Sequence, residues 1–357
     1  MAEKKGVSLS SIQDFPAEVI QKLAAFWITT AEELVSAALQ EGGLAGLGTL
    51  LGLPEAEVTR LVEQAQAALP PGVSFAAGDI ETHGLGALDE LEEGREGEGP
   101  TSFAPLPDNI NLQPRFGPVR DQGQRGTCVA HACAAVREYL TGSYSPQSNL
   151  SEQFLYWDCK KHDMVPGSGT FIRVGMNRLE VDGIPQEIDW PYNPAPIAGN
   201  EGQDPPPSGI MDKAKPNRTS SSTSLSPRDV NALRQALADG SPVAFSVPVY
   251  THWFAQPTRT TGDIRLPLPG EKVEGGHAMC MVGYEADLNV PGGGYFLVRN
   301  SWGKAWASEN SIAAGYARIP FAYLNQYGSS AYTASAAAAS PKSSWQRFMD
   351  WIRSLFG

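Results

Sequence analysis

Between Ser8 and Leu69 the apolar positions fall in short runs at helical spacing: Val19, Leu23 and Phe26; Leu34, Ala37 and Leu39; Leu47, Leu50 and Leu51; Val58, Leu61 and Val62. Thr30-Ala31-Glu32-Glu33 has the pattern of a capping box and predicts the start of the second helix. Leu51-Gly52-Leu53-Pro54 stops the third, and Glu55 opens the fourth. Residues 1–75 are therefore expected to form a small all-α domain. From Ala76 to Pro105 the periodicity gives way to an acidic, Gly-rich stretch (DELEEGREGEGP), expected to be a solvated linker. Helical spacing returns with Val129, Ala132, Val136, Tyr139 and Leu140, which predicts a helix beginning at Cys128. The stretch from Pro194 to Pro227, with PPP and SSSTS, reads as a surface insertion between a helix-rich first half and a strand-rich second half. Thr333 to Lys342 reads as an Ala/Ser linker. It leads to Trp345, Phe348, Met349, Ile352, Leu355 and Phe356, a helical stripe opposite Arg347, Asp350 and Arg353. Residues 343–357 are thus expected to be an amphipathic C-terminal helix. Such a stripe docks on the protein's own body, a membrane surface, another protein or a protein shell.

Charge adds to this division. The chain of 357 residues has a formal net charge of −12. Residues 1–100 hold five Lys/Arg and seventeen Asp/Glu, which accounts for all of it, and the remainder is neutral. An acidic N-terminal part argues against nucleic acid as a partner. Four cysteines, with no obvious pairing, point to a reducing compartment. The start MAEKKGVSLSSIQDFP lacks an apolar core, and no apolar run is long enough to span a bilayer, so the expected location is cytoplasmic. No His/Cys group has zinc spacing and no Gly-rich loop follows a strand in nucleotide-binding order, so neither metal nor cofactor is expected.

The candidate chemistry lies in three separated segments. PVRDQGQRGTCVAHACAAV carries Gln122 and Cys128, GGHAMCMVGY carries His277, and VRNSWG carries Asn300. A cysteine at a helix N-terminus is a nucleophile in waiting, because the helix dipole and a nearby imidazolium favour the thiolate. His277 suits the base that later returns the proton to the leaving amine, and Asn300 suits the group that holds its tautomer. The side-chain amide of Gln122 and the backbone N–H of Cys128 suit an oxyanion hole. Cys133 and Cys280 read as core. His131, one helical turn beyond Cys128, is a rival base in sequence but is badly placed to reach in line with the thiol. His83, His162 and His252 show no partner pattern and read as solvated or structural.

These motifs resemble the papain family of cysteine peptidases, in which His and Asn follow the cysteine by roughly 130–150 residues. Here the separations are 149 (277 − 128) and 172 (300 − 128), the second lengthened in part by the insertion. LPDNINLQPRFGPVRDQG, LSEQFLYWDC, GIPQEIDWPY and NSWGKAW fall in family order between about Leu106 and Tyr332. The resemblance implies an α+β, two-lobed catalytic domain over residues 106–332, with a helical lobe carrying Cys128 and a β-barrel-like lobe carrying His277 and Asn300. It implies a cleft that binds an extended peptide, walled by Gly169, Thr170, Phe171, Ile172, Gly275, Gly276 and Ala278, with Trp302 as a lid over the His–Asn pair. The implied activity is thiol endopeptidase, with peptide or protein as substrate. The N-terminal runs resemble the helix-hairpin-helix-like domains of several bacterial proteins, without their basic residues, and so suggest a contact or regulatory module. Four departures stand out. Arg125 and Val129 replace a family cysteine and a family aromatic, Gly276 replaces an acidic or amide residue before the histidine, and AWAS replaces a second WG pair. By resemblance Cys159 would bridge to position 125, which holds Arg125 instead. A fold retained as a low-activity binding scaffold, or a transferase acting through an acyl-enzyme, remains open on the sequence.

Overall fold

The computed structural model describes residues 4–73, 75, 83–89 and 105–336. The N-terminal apolar runs fold as four short helices, α1 (Ala17–Ala24), α2 (Ala31–Leu39), α3 (Gly43–Leu51) and α4 (Glu55–Ala67). The capping box is formed. Thr30 accepts from the Glu33 N–H at 3.3 Å, and the Glu33 carboxylate accepts from the Thr30 N–H at 3.1 Å. Gly52 closes α3 in the left-handed region (φ 70°), where a side chain would be strained. Leu9, Leu23, Leu34, Leu47 and Val58 form the core of this module, and Leu268 from the rest of the chain completes it.

The module is therefore built onto the rest of the chain. The Leu266 N–H donates to the Phe26 carbonyl at 3.1 Å. Trp27, 4% exposed, stacks on Tyr295 with ring centroids 6.1 Å apart. Lys4 lies over the Trp27 ring and pairs with Glu33 in a buried contact.

The larger part of the chain begins with β1 (Asn109–Asn111), followed by α5 (Cys128–Tyr139), α6 (Glu152–His162) and α7 (Ile172–Val181). Every residue of α5 is buried, beyond the one apolar stripe that its sequence predicts. Its charged members are paired internally. Glu138 pairs with Arg120 and accepts from the Leu150 N–H, and Arg137 donates to the Asn217 carbonyl. Next come α8 (Ile210–Ala214), β2 (Thr219–Ser224), α9 (Val230–Ala238), β3 (Val243–Tyr250), α10 (Thr258–Thr261), β4 (Val273–Ala286), β5 (Gly294–Arg299), β6 (Tyr316–Pro320), α11 (Phe321–Tyr327) and β7 (Ser330–Ala336).

Among the described residues the strands form one antiparallel sheet in the order β2-β7-β3-β4-β5-β6, with β1 also on β4. Two expectations need correction here. The Ser-rich end of the insertion is the edge strand β2, and Thr333–Ala336, read as a linker, completes β7 beside it. Ser and Ala are weak strand formers, and pairing supplies what propensity lacks. The C-terminal stripe at 343–357 lies outside the described residues. Among the described residues no helix is long and apolar enough to cross a membrane.

Candidate active site

Three elements converge on the site. Cys128 is the first residue of α5. Thr127 before it gives no side-chain cap, because its hydroxyl bonds to the Tyr192 hydroxyl at 2.7 Å. The N–H groups at the helix start are left for the thiol. His277 lies in β4 and Asn300 directly follows β5, its neighbour in the sheet. His277 Nε2 and Asn300 Oδ1 are 2.7 Å apart. Nδ1, at the other side of the ring, has no hydrogen bond among the described residues. Trp302, 1% exposed, stacks on the imidazole at 4.6 Å between centroids. It is held in turn by Phe254, Trp253 and Trp306.

Gln122 is fixed at both ends of its amide. Its Oε1 accepts from the Ser301 hydroxyl at 2.6 Å, and its Nε2 donates to the Arg125 and Gly84 carbonyls, each at 2.8 Å. Ser301 thus decides which way the amide points. Sequence reasoning did not single out this serine, although it follows Asn300 directly. His131, the rival base, is bound to the Thr127 carbonyl at 3.0 Å, and burial pulls its pKa down to about 3. His252 is buried against Glu271 at 2.7 Å.

The cleft is occupied by the chain itself. Residues 83–89, expected to be solvated linker, run through it as a strap. His83 stacks on Trp302 at 4.9 Å. The Gly84 N–H donates to the Gly123 carbonyl, and the Gly86 and Ala87 N–H groups both reach the Gly276 carbonyl. The Thr170 N–H donates to the Gly86 carbonyl at 2.9 Å, and Leu88 N–H to that of Thr170 at 3.0 Å. The glycines are there for close approach. A Cβ on Gly84 would lie 2.0 Å from the Arg125 carbonyl oxygen, and one on Gly86 would lie 2.1 Å from that of Gly126. Leu85 packs against Gly275. Of the wall residues read from sequence, Gly169, Thr170, Gly275 and Gly276 contact the strap. Ala278 offers its N–H to the Cys128 sulfur. Phe171 is half-buried, and Ile172 packs inside the helical lobe.

Covered in this way, Cys128 and His277 are both fully buried. Burial pushes the thiol up from its ordinary 9.0 to about 11, against the N–H groups of Ala278, Gly86 and Val129, which pull it down. Burial also lowers His277 to about 4, against the raising effect of the Asn300 bond. Both groups are neutral at pH 7 in this state.

Residues 106–336 match the papain family cysteine protease profile. The chain belongs to the papain family. An uncharacterised peptidase C1-like protein of Acanthamoeba polyphaga mimivirus is 26% identical over 220 residues, 57% of this chain and 64% of the relative. Cathepsin J of Mus musculus is 30% identical over 218 residues, 59% of each chain. The chain thus spans about three-fifths of the length of these curated relatives. The crystal structure of xylellain, a cysteine protease from Xylella fastidiosa, superposes with a TM-score of 0.62 at 26% identity, covering 74% of this chain and all of that one. The two-lobed α+β architecture is accordingly the papain-like one, preceded here by an all-α region.

Proposed function

We propose that this papain-family protein hydrolyses peptide bonds with Cys128 as nucleophile, His277 as base, Asn300 as its orienter and Gln122 as oxyanion donor. The observation that carries the reading is the Gly84 carbonyl seated 2.8 Å from Gln122 Nε2. A backbone carbonyl bound there is what acyl transfer needs of that amide, which must hold the oxygen as it gains charge. In the reaction His277 takes the thiol proton and the thiolate adds to the substrate carbonyl. Charge then collects on the oxygen facing Gln122 Nε2 and the Cys128 N–H. His277 returns the proton to the leaving amine, and water releases the acyl group by the reverse sequence. Asn300 keeps Nε2–H bonded so that Nδ1 is the basic atom.

The strap sets the resting state. Its N–H and carbonyl groups satisfy Gly123, Thr170 and Gly276, the groups an extended peptide would use. It excludes water from the thiol, which keeps the nucleophile protonated. Residues 83–89 therefore hold the enzyme off, and substrate is admitted when they leave. The wall that then opens is uncharged and fits an apolar side chain. The four cysteines are all free, which suits a reducing, cytoplasmic setting.

The test is turnover of a peptide library by the full chain carrying Gly86→Val, which cannot seat the strap, with and without Cys128→Ala. Hydrolysis that needs Cys128 and favours apolar residues near the scissile bond is expected. Hydrolysis that survives Cys128→Ala would refute the assignment.

A further inference from the structure

The corner that precedes the nucleophile is held by an arginine. Arg125 is 3% exposed and occupies the position at which a family cysteine would bridge to Cys159. Its Nη1 donates to Gln153 Oε1 at 2.7 Å and to the Asn193 carbonyl at 2.8 Å, and its Nη2 donates to the Glu201 carbonyl at 3.0 Å. The guanidinium also lies over the rings of Tyr156 and Tyr192, 5.3 Å from each centroid. Three segments distant in sequence thus meet on one side chain: α6, the loop after Trp190, and the insertion near Glu201.

This corner bears on the oxyanion hole through its backbone. The amide nitrogen of Gln122 carries two hydrogens. One is given to the Arg125 carbonyl, and the other points to where the Gly84 carbonyl sits. The Tyr192 hydroxyl donates to the Gln122 carbonyl at 2.8 Å and is bonded to Thr127, next to the nucleophile. We propose that Arg125 is a positioning residue for the reaction. It replaces a covalent tie with a planar, multiply bonded guanidinium that fixes residues 122–127, and its carbonyl aims the second Gln122 hydrogen at the developing oxyanion.

The inference rests on Gln122 as oxyanion donor and makes a claim that a merely structural role would not. Misaiming the donor slows acyl transfer, in which an oxyanion forms, and spares alkylation of the thiol by a haloacetamide, in which none forms. The experiment uses the full chain with Gly86→Val as parent. Arg125→Ala is expected to lower kcat by about 10- to 100-fold, below the full cost of losing such a donor. KM and the rate of Cys128 alkylation should stay within about twofold. Arg125→Lys should not restore kcat, because a single ammonium cannot span the three acceptors. Should Arg125→Ala fail to fold, Tyr192→Phe removes one hydroxyl from the same corner, and a several-fold loss of kcat at unchanged KM is expected. Unchanged kcat, or alkylation falling in step with kcat, would overturn the proposal. A parent that folds but turns over nothing would refute the Gln122 assignment and this inference with it.

Discussion

The helical module and the strap both precede the catalytic part, yet they are held by different means. The module is attached mainly through side chains. Trp27 is buried against Tyr295 and Leu268 enters the module core, with the Leu266 N–H to Phe26 carbonyl bond beside them. The strap is attached mainly through backbone hydrogen bonds and through glycines that admit close approach, with Leu85 and His83 as its main side-chain contacts. A peptide substrate can compete with backbone bonds group for group. It cannot compete with a buried tryptophan on another face. The contrast therefore separates a part that stays from a part that yields.

The largest expected effect tests the strap. Gly86→Val in the full chain places carbon atoms against the Gly126 carbonyl and should raise peptide turnover by roughly ten-fold or more, since each 1.4 kcal/mol lost from strap seating is tenfold in its equilibrium. Unchanged turnover would mean that the strap does not limit access. Trp27→Ala, next in size, should destabilise docking of the module by about 3 kcal/mol, measured by denaturant unfolding, with little change in turnover. If turnover rose as much as with Gly86→Val, module and strap would be one device and the contrast would fail.

A pH profile sharpens the same point. Burial raises the Cys128 thiol, so the closed chain should alkylate with a midpoint near 11. Opening the strap restores water, and the midpoint should move down toward 9.0 or below as the helix N-terminus and His277 act on the thiolate. Coincident profiles for the wild type and Gly86→Val would contradict this. The smallest of these effects concerns Asn300. Asn300→Ala should reduce kcat less than His277→Ala does, because Asn300 orients the ring without taking a proton. A larger loss would assign it a further role.

What the sequence discloses and what it hides follow from the forces involved. The capping box at Thr30 and the stop at Gly52 are legible because local bonds and a left-handed turn fix them within a few residues. Cys128, His277 and Asn300 stand out by residue type and order. Residues 83–89 are not legible. HGLGALD has neither helical nor strand period, and its glycines look like those of any linker until the neighbouring carbonyls are in view. β7 is hidden for a related reason: Thr, Ala and Ser become a strand because β2 and β3 pair with them. Arg125 reads as a missing cysteine, and only Gln153, Asn193 and Glu201 around it reveal what it supplies. Ser301 needs Gln122 beside it before its hydroxyl has a meaning.

The most direct measurement is hydrolysis of one fluorogenic peptide by three full-length proteins at equal concentration: wild type, Gly86→Val, and Gly86→Val with Cys128→Ala. The account predicts slow, fast and no turnover, in that order. Equal turnover in the first two, or turnover that persists in the third, would contradict a Cys128 peptidase held off by its own residues 83–89.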